Sequence, residues 1–227
     1  ELAALSEALD GLLEGRGAVV AITGEPGIGK SRLVAEVEER FAGRVRFLTG
    51  HAVAYAETIP YWPVRELLRR WLGLGVSDSE ARARLELRAE LARTLADEAD
   101  EAYPFLATLL GLTLELEQER RMRDFAPDAF QHQTFDWLYR LLAVLARERP
   151  LCLVLEDLHW SDEATLSLLE KLLPAAEQTA VCFLLVHRSD PDHPAWHLVD
   201  RARRRFRRSF LELELEPLPD ADTRALA

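Results

Sequence analysis

The stretch Gly24-Glu25-Pro26-Gly27-Ile28-Gly29-Lys30-Ser31 satisfies the pattern G-x-x-x-x-G-K-[ST] at every position. Each residue type there has a mechanical use. Gly24, Gly27 and Gly29 admit backbone conformations closed to other residues, so the loop can turn its amide N–H groups inward around a phosphate. Lys30 is placed to reach the β- and γ-phosphates of a nucleotide, and Ser31 to ligate Mg²⁺. Of the 28 Lys and Arg residues only Lys30 and Lys171 are lysine. In a chain that otherwise uses Arg for its cations, a compact ammonium on a flexible stem suits a crowded phosphate better than a planar fork. The candidate nucleotide-binding set is these eight residues with Arg32 after them.

A phosphate loop works between a strand and a helix, and both are expected here. Residues 18–23 are a short apolar run with β-branched side chains, bounded by Gly17 and Gly24, and read as a buried strand. Leu33, Val34, Val37 and Phe41 then recur at helical spacing, with Glu36, Glu38, Glu39 and Arg40 on the other face. The first-turn amides and the dipole of such a helix favour an anion at its N-terminus.

A nucleotide site with Mg²⁺ also needs carboxylate at the end of a neighbouring strand. Glu156 and Asp157 follow the apolar run 151–155, and Arg188 follows the apolar run 181–186. In an open parallel sheet, ligands gather at the carboxyl ends of the strands, where all three would lie. Glu156 is expected on the metal side, holding Mg²⁺ through water, and Asp157 beside the attacking water. That order is open, because successive strand residues point to opposite faces. Arg188 would stabilise or sense the γ-phosphate as a charge-assisted donor; the alternative is a structural ion pair with the acidic residues.

The remaining pattern supplies the scaffold. Residues 2–13 read as an amphipathic helix before the first strand, and 45–49 as a second strand closed by Gly50. Residues 51–63, with two prolines, read as a loop. Helices are expected over 64–72, 78–98, 101–110 and 128–149, the last stopped by Pro150. The stretch 78–98 reads as a charged surface helix and 113–127 as irregular. Strands return at 151–155, 181–186 and 210–215. Five strands alternating with helices predict a parallel sheet, and the stretch 61–127 is too long for a simple crossover, so it reads as an inserted helical subdomain.

Composition bounds the rest. The chain has 227 residues, is 48% hydrophobic and carries a formal net charge of −11. That is enough apolar residue for a core, and the negative balance argues against nucleic-acid binding over most of the surface. Cys152 and Cys182 both sit in apolar runs and are expected as core thiols in a reducing, cytoplasmic compartment. No run of about 18 apolar residues predicts a membrane span. Among the six histidines, only His193 and His197 are four apart, with no further ligand near, so no metal beyond Mg²⁺ is expected. The cluster Arg201, Arg203, Arg204, Arg205, Arg207 and Arg208 reads as a solvated helix or a patch docking an acidic neighbour. The chain opens Glu1-Leu2 and closes on 220–227, which reads as a helix just starting, so residues 1–227 are expected to be one domain of a longer protein.

Residues 18–33, together with Leu153-Val154-Leu155-Glu156-Asp157-Leu158-His159-Trp160-Ser161-Asp162, resemble the AAA-type ATPase domain of large bacterial regulators in the signal-transducing (STAND) class of P-loop NTPases. Pro60-Tyr61-Trp62-Pro63 and the stretch from His187-Arg188 to Pro194-Ala195-Trp196 resemble it too. The resemblance implies an α/β three-layer P-loop fold, ATP and Mg²⁺ as ligands and slow hydrolysis. It also implies a nucleotide-dependent switch of attached effector and sensor domains (a cyclase or a transcription-regulator domain), with homo-oligomerisation, and a lid beyond Ala227. The matching residues are Lys30, Ser31, Glu156, Asp157 and Arg188. Trp160 would be a packing wedge, and Ser161 or Asp162 the cap of the next helix. Val186 stands where the family often has Thr. Ring-forming relatives take an arginine finger from about the region of the Arg cluster. The alternatives are a phosphotransferase sharing the same loop and an inert nucleotide-binding scaffold. The loop reads only phosphates, but a guanine-reading N-K-x-D is absent, since neither lysine stands in one.

Overall fold

In the computed structural model, residues 1–56, 59–75 and 77–216 are described. Five strands form one parallel sheet: β1 (Ala18–Thr23), β2 (Arg46–His51), β3 (Leu151–Glu156), β4 (Val181–Val186) and β5 (Phe210–Glu214), in the order β2-β3-β4-β1-β5. The continuous apolar runs of β1, β3 and β4 follow from their being covered on both faces. Side chains alternate between those faces. Val19, Ala21, Leu151, Leu153, Leu155, Val181, Phe183 and Leu185 enter one core; Ala18, Val20, Ile22, Cys152, Val154, Cys182, Leu184 and Val186 enter the other. Both cysteines are free and buried, as their apolar surroundings predicted.

The strand order decides which helix lies where. The chain leaves β1 through α2 (Lys30–Arg40) and crosses two strands to reach β2 at one edge. From β2 it steps back through β3 and β4 and then past β1 to β5. Parallel crossovers are right-handed, so this reversal of direction puts α2 on one face and the returning helices on the other. With α2 lies α1 (Leu2–Leu13), whose Leu5, Leu9 and Leu12 are fully buried beside Val34, Val37 and Phe41. On the opposite face lie α3 (Trp62–Trp71), α4 (Glu80–Leu95), α5 (Ala99–Leu109), α6 (Leu116–Met122), α7 (Pro127–Glu148), α8 (Glu163–Leu172), α9 (Ala175–Gln178) and α10 (Pro194–Arg205).

Three expectations are corrected here. Gly50 does not close β2 but lies inside it, paired with Leu155. It is glycine because α3 starts against it: a Cβ there would run into the Pro63 carbonyl oxygen. The stretch 113–127 is not irregular, since it contains α6, a two-turn helix with no buried residue. Its lack of an apolar stripe is what hid it. Helix α4 is also more than a solvated surface helix, for it buries Ala83, Leu87, Leu91 and Leu95 at its own four-residue spacing. The expected loop 51–63 holds a 3₁₀ turn at Ala54–Ala56, and the helix expected over 220–227 lies outside the described residues. One contiguous core runs from α3–α7 into the sheet and on to α8 and α10.

Candidate active site

Five groups converge at the carboxyl end of the central strands. Gly27 and Gly29 in the loop after β1 have φ of 78° and 108°, and the space where a Cβ would stand is open at both. The glycines are therefore required by backbone conformation and not by crowding. Gly29 is the N-cap of α2, so the amides of its first turn face the loop. Lys30, although a lysine, is buried. Its ammonium donates to the carbonyl oxygens of Gly24 at 2.8 Å and Glu25 at 2.9 Å, which ties it across the mouth of its own loop. Burial pushes the Lys30 ammonium below its ordinary pKa; Asp157 opposes this, Arg188 adds to it, and Glu25 and Glu156 oppose it. All four charges thus act on one ammonium.

Glu156 and Asp157 are placed differently by the end of β3. The place of Glu156 in β3, in step with Cys152 and Val154, turns it to the α1/α2 face. There its carboxylate Oε2 accepts the hydroxyl hydrogen of Ser31, across the width of β4. The two expected Mg²⁺ ligands are therefore side by side, and Glu156 is itself buried. A hydroxyl oxygen and a carboxylate are hard donors of the type Mg²⁺ takes when it also keeps several waters. Asp157 departs from the strand: its φ of 56° and ψ of 38° are left-handed. Asp is one of the few residues that adopts this conformation readily. The chain turns there into a 3₁₀ turn, Leu158–Trp160, closed by the Trp160 N–H to Asp157 O at 2.9 Å and the Ser161 N–H to Leu158 O at 3.0 Å.

That turn is pinned at both ends. Leu158 is fully buried. Asp162 caps α8, accepting the Thr165 N–H at 2.9 Å on Oδ1, while its Oδ2 accepts the Tyr61 N–H at 3.2 Å. Of the two expected caps, Asp162 is the one used. Tyr61 is itself left-handed and heads α3, so the acidic turn is joined by a hydrogen bond to the helices between β2 and β3.

Arg188 follows β4 and is exposed, with no ion pair among the described residues. The alternative of a structural ion pair with Glu156 or Asp157 is therefore not what forms here. Its carbonyl is held by buried His187, whose Nδ1–H donates to it at 2.8 Å. That assignment follows because a carbonyl can only accept.

Two groups were not anticipated. His159 sits on the 3₁₀ turn, and burial pushes its imidazole down to about 4, helped by Arg188. His51 ends β2 opposite Glu156 and binds Glu66 of α3 through both its N–H (2.8 Å) and Nδ1 (3.2 Å). His51 lies in no motif and was signalled only by standing where an apolar strand ends; His159 lies in the Leu-His-Trp-Ser-Asp stretch of the resemblance, but no role was read for it there. The Arg cluster is partly neutralised within the chain: Arg201 pairs with Glu170, Arg203 with Glu212 and Arg204 with Asp200.

A parallel sheet of this order with a phosphate loop, a buried lysine and a facing acidic strand end defines a P-loop NTPase-type domain. Residues 1–186 match the AAA ATPase domain family, and the chain belongs to it. An uncharacterized protein of Rhizobium meliloti (strain 1021) is 28% identical over 226 residues, which is 99% of this chain and 20% of that protein. The chain thus spans about one fifth of that relative's length. Among solved structures, Cdc6p from Pyrobaculum aerophilum aligns over 93% of this chain and 44% of its own, at 13% identity and a TM-score of 0.44. The Drosophila ORC bound to DNA aligns over 98% of this chain and 94% of its own, at 14% identity and a TM-score of 0.45. No described helix is long and apolar enough to cross a membrane.

Proposed function

We propose that this domain binds ATP with Mg²⁺, hydrolyses it slowly, and switches attached effector and sensor domains of a longer cytoplasmic protein through its nucleotide state. The observation that carries the reading is the meeting of Ser31 and Glu156 across the sheet, next to Lys30 and within the electrostatic reach of Asp157 and Arg188. In this reading the loop from Gly24 to Arg32 grips the phosphates. Lys30 exchanges its bonds to Gly24 O and Glu25 O for phosphate oxygens, a substitution of acceptors that leaves its charge satisfied. Ser31, and Glu156 through water, would hold Mg²⁺, which when bound would supply positive charge to offset that of the β- and γ-phosphates. Asp157 orients the attacking water and accepts its proton. Arg188, which has no ion pair among the described residues, is available to the γ-phosphate.

Regulation, as against simple turnover, is supported by the wiring of the site. The acidic turn that would meet the γ-phosphate is hydrogen-bonded through Asp162 to the head of α3. A shift at the turn therefore reaches the helical region directly. The family resemblance of the extended Leu-His-Trp-Ser-Asp stretch and the larger size of the curated relative favour attached domains and homo-oligomerisation, with a lid beyond residue 227. Product analysis tests the reading. Incubation with ATP and Mg²⁺ is expected to release free phosphate alone; a phosphorylated small molecule as product would replace the switch with a phosphotransferase.

A further inference from the structure

The Arg cluster is a charged surface that the nucleotide site does not use. Arg203, Arg204 and Arg205 close α10, and Arg207 and Arg208 follow in the turn that leads into β5. A helix C-terminus favours cations, which accounts for the first three. It does not account for Arg207 and Arg208, which lie past the helix end. Within the chain Arg203 reaches Glu212 and Arg204 reaches Asp200. Arg205, Arg207 and Arg208 are exposed and form no ion pair among the described residues.

The cluster also has a shape. Arg203, Arg204, Arg207 and Phe210 line an open cleft of about 360 Å³. Arg203 Nε is shielded from solvent and has no hydrogen-bond partner among the described residues. Three guanidiniums beside one ring suit an incoming group that brings carboxylates, which an Arg fork can hold by two parallel hydrogen bonds.

The chain carries such a group at the other edge of its sheet. Asp97, Glu98, Asp100 and Glu101 are all exposed where α4 turns into α5. Of the four, Glu98 alone forms an ion pair among the described residues, with Arg140 of α7. Further ion pairs locate this corner. Arg93, in the last turn of α4, pairs with Glu148 at the end of α7, and Glu148 also reaches Arg46, the first residue of β2. The acidic corner therefore lies by the amino end of β2, and the Arg cleft by the amino end of β5. These strands are the two edges of the sheet. Complementary patches at opposite edges cannot meet within one molecule, but they can meet between two.

We propose that the Arg cleft before β5 receives the acidic corner at residues 97–101 of a second copy of this chain, head to tail. This rests on the homo-oligomer in the reading above and names its two faces. The faces differ, so the contact is heterologous, and its repetition gives a ring or a filament. Both faces lie at the amino ends of the strands, whereas the phosphate loop lies at the carboxyl end of β1. The contact therefore brings no Arg to a neighbour's nucleotide.

The test is sedimentation over a range of protein concentrations at physiological ionic strength. There the general repulsion between copies of charge −11 is screened beyond about 8 Å. The samples are wild type, the double variant Arg204→Glu with Arg207→Glu, and the double variant Asp97→Arg with Asp100→Arg. Wild type is expected to form larger species as concentration rises. Each variant alone sets like charge against like and is expected to lose them, with ATP affinity as in wild type. Mixing the two variants restores opposite charges at every contact and should bring the larger species back, which misfolded variants could not do. Larger species that persist in both variants, or that fail to return on mixing, overturn the inference and leave homo-oligomerisation to other surfaces. A wild type that stays monomeric with and without ATP and Mg²⁺ removes the homo-oligomer itself, and this inference with it. Binding of a glutamate-rich peptide or a DNA duplex to that monomer would then give the cleft to a different partner.

Discussion

At the scale of residues, the site works by putting ionisable groups where their charges are needed by something outside the chain. Lys30→Ala is expected to abolish ATP binding, because the ammonium is the one buried cation in the loop. Asp157→Asn should leave ATP affinity in place and lower hydrolysis by roughly 10²–10⁴-fold; a rate equal to wild type would show that Asp157 has no part in the chemistry. His51 and Glu66 give a pH prediction. The hydrogen bond that the His51 ring donates to Glu66 raises the His51 pKa above 6.5, against the opposing effect of burial. Burial raises Glu66, but its hydrogen bonds from His51 and Arg70 outweigh that and bring it to about 2. A raised histidine contributes stability that is present below its unfolded pKa of 6.5 and lost as pH rises through the higher folded value. A depressed glutamate contributes stability present above 4.5 and lost as pH falls toward 2. Titration of His51 by NMR should show its pKa drop in Glu66→Gln; no change would mean the pair does not form.

At the scale of elements, the account turns on how the strand ends are aimed. Gly50→Ala would push a methyl into the Pro63 carbonyl. It is expected to destabilise the protein by about 1–3 kcal/mol, read as a lowered denaturation midpoint. Asp162→Ala removes the α8 cap and the bond to Tyr61. A loss of about 1 kcal/mol is expected from the cap alone, with an altered response of the helical region to nucleotide. Much of this level was legible in the sequence. The runs of β1, β3 and β4 and the Gly-Lys-Ser motif are local signals, and they stand where expected. What escaped is not local. Gly50 looks like a strand terminator until the approach of α3 is known, and α6 has no stripe because it buries nothing. The order of Glu156 and Asp157 depends on the strand parity at the end of β3 and on the left-handed turn after it. His159 was legible only as part of the Leu-His-Trp-Ser-Asp stretch; that the charges of Arg188 and Lys30, far from it in sequence, act on it follows from the order of β1, β3 and β4.

At the scale of the whole molecule, the helices between β2 and β3 and the sheet share one core, in which Leu141 of α7 is fully buried. Leu141→Ala is expected to cost about 2–5 kcal/mol and to shift a single calorimetric transition. A separate melt of the helical region would show that it is an independent unit. In the proposed reading, the hydrogen bond from the Tyr61 N–H to Asp162 would carry nucleotide state from the acidic turn to α3. The most direct test of the central claim is a calorimetric titration of ATP, with and without Mg²⁺, into wild type and Glu156→Gln. The account predicts that Mg²⁺ tightens ATP binding to wild type and that Glu156→Gln loses most of that Mg²⁺ dependence. Equal Mg²⁺ dependence in the two proteins would contradict it.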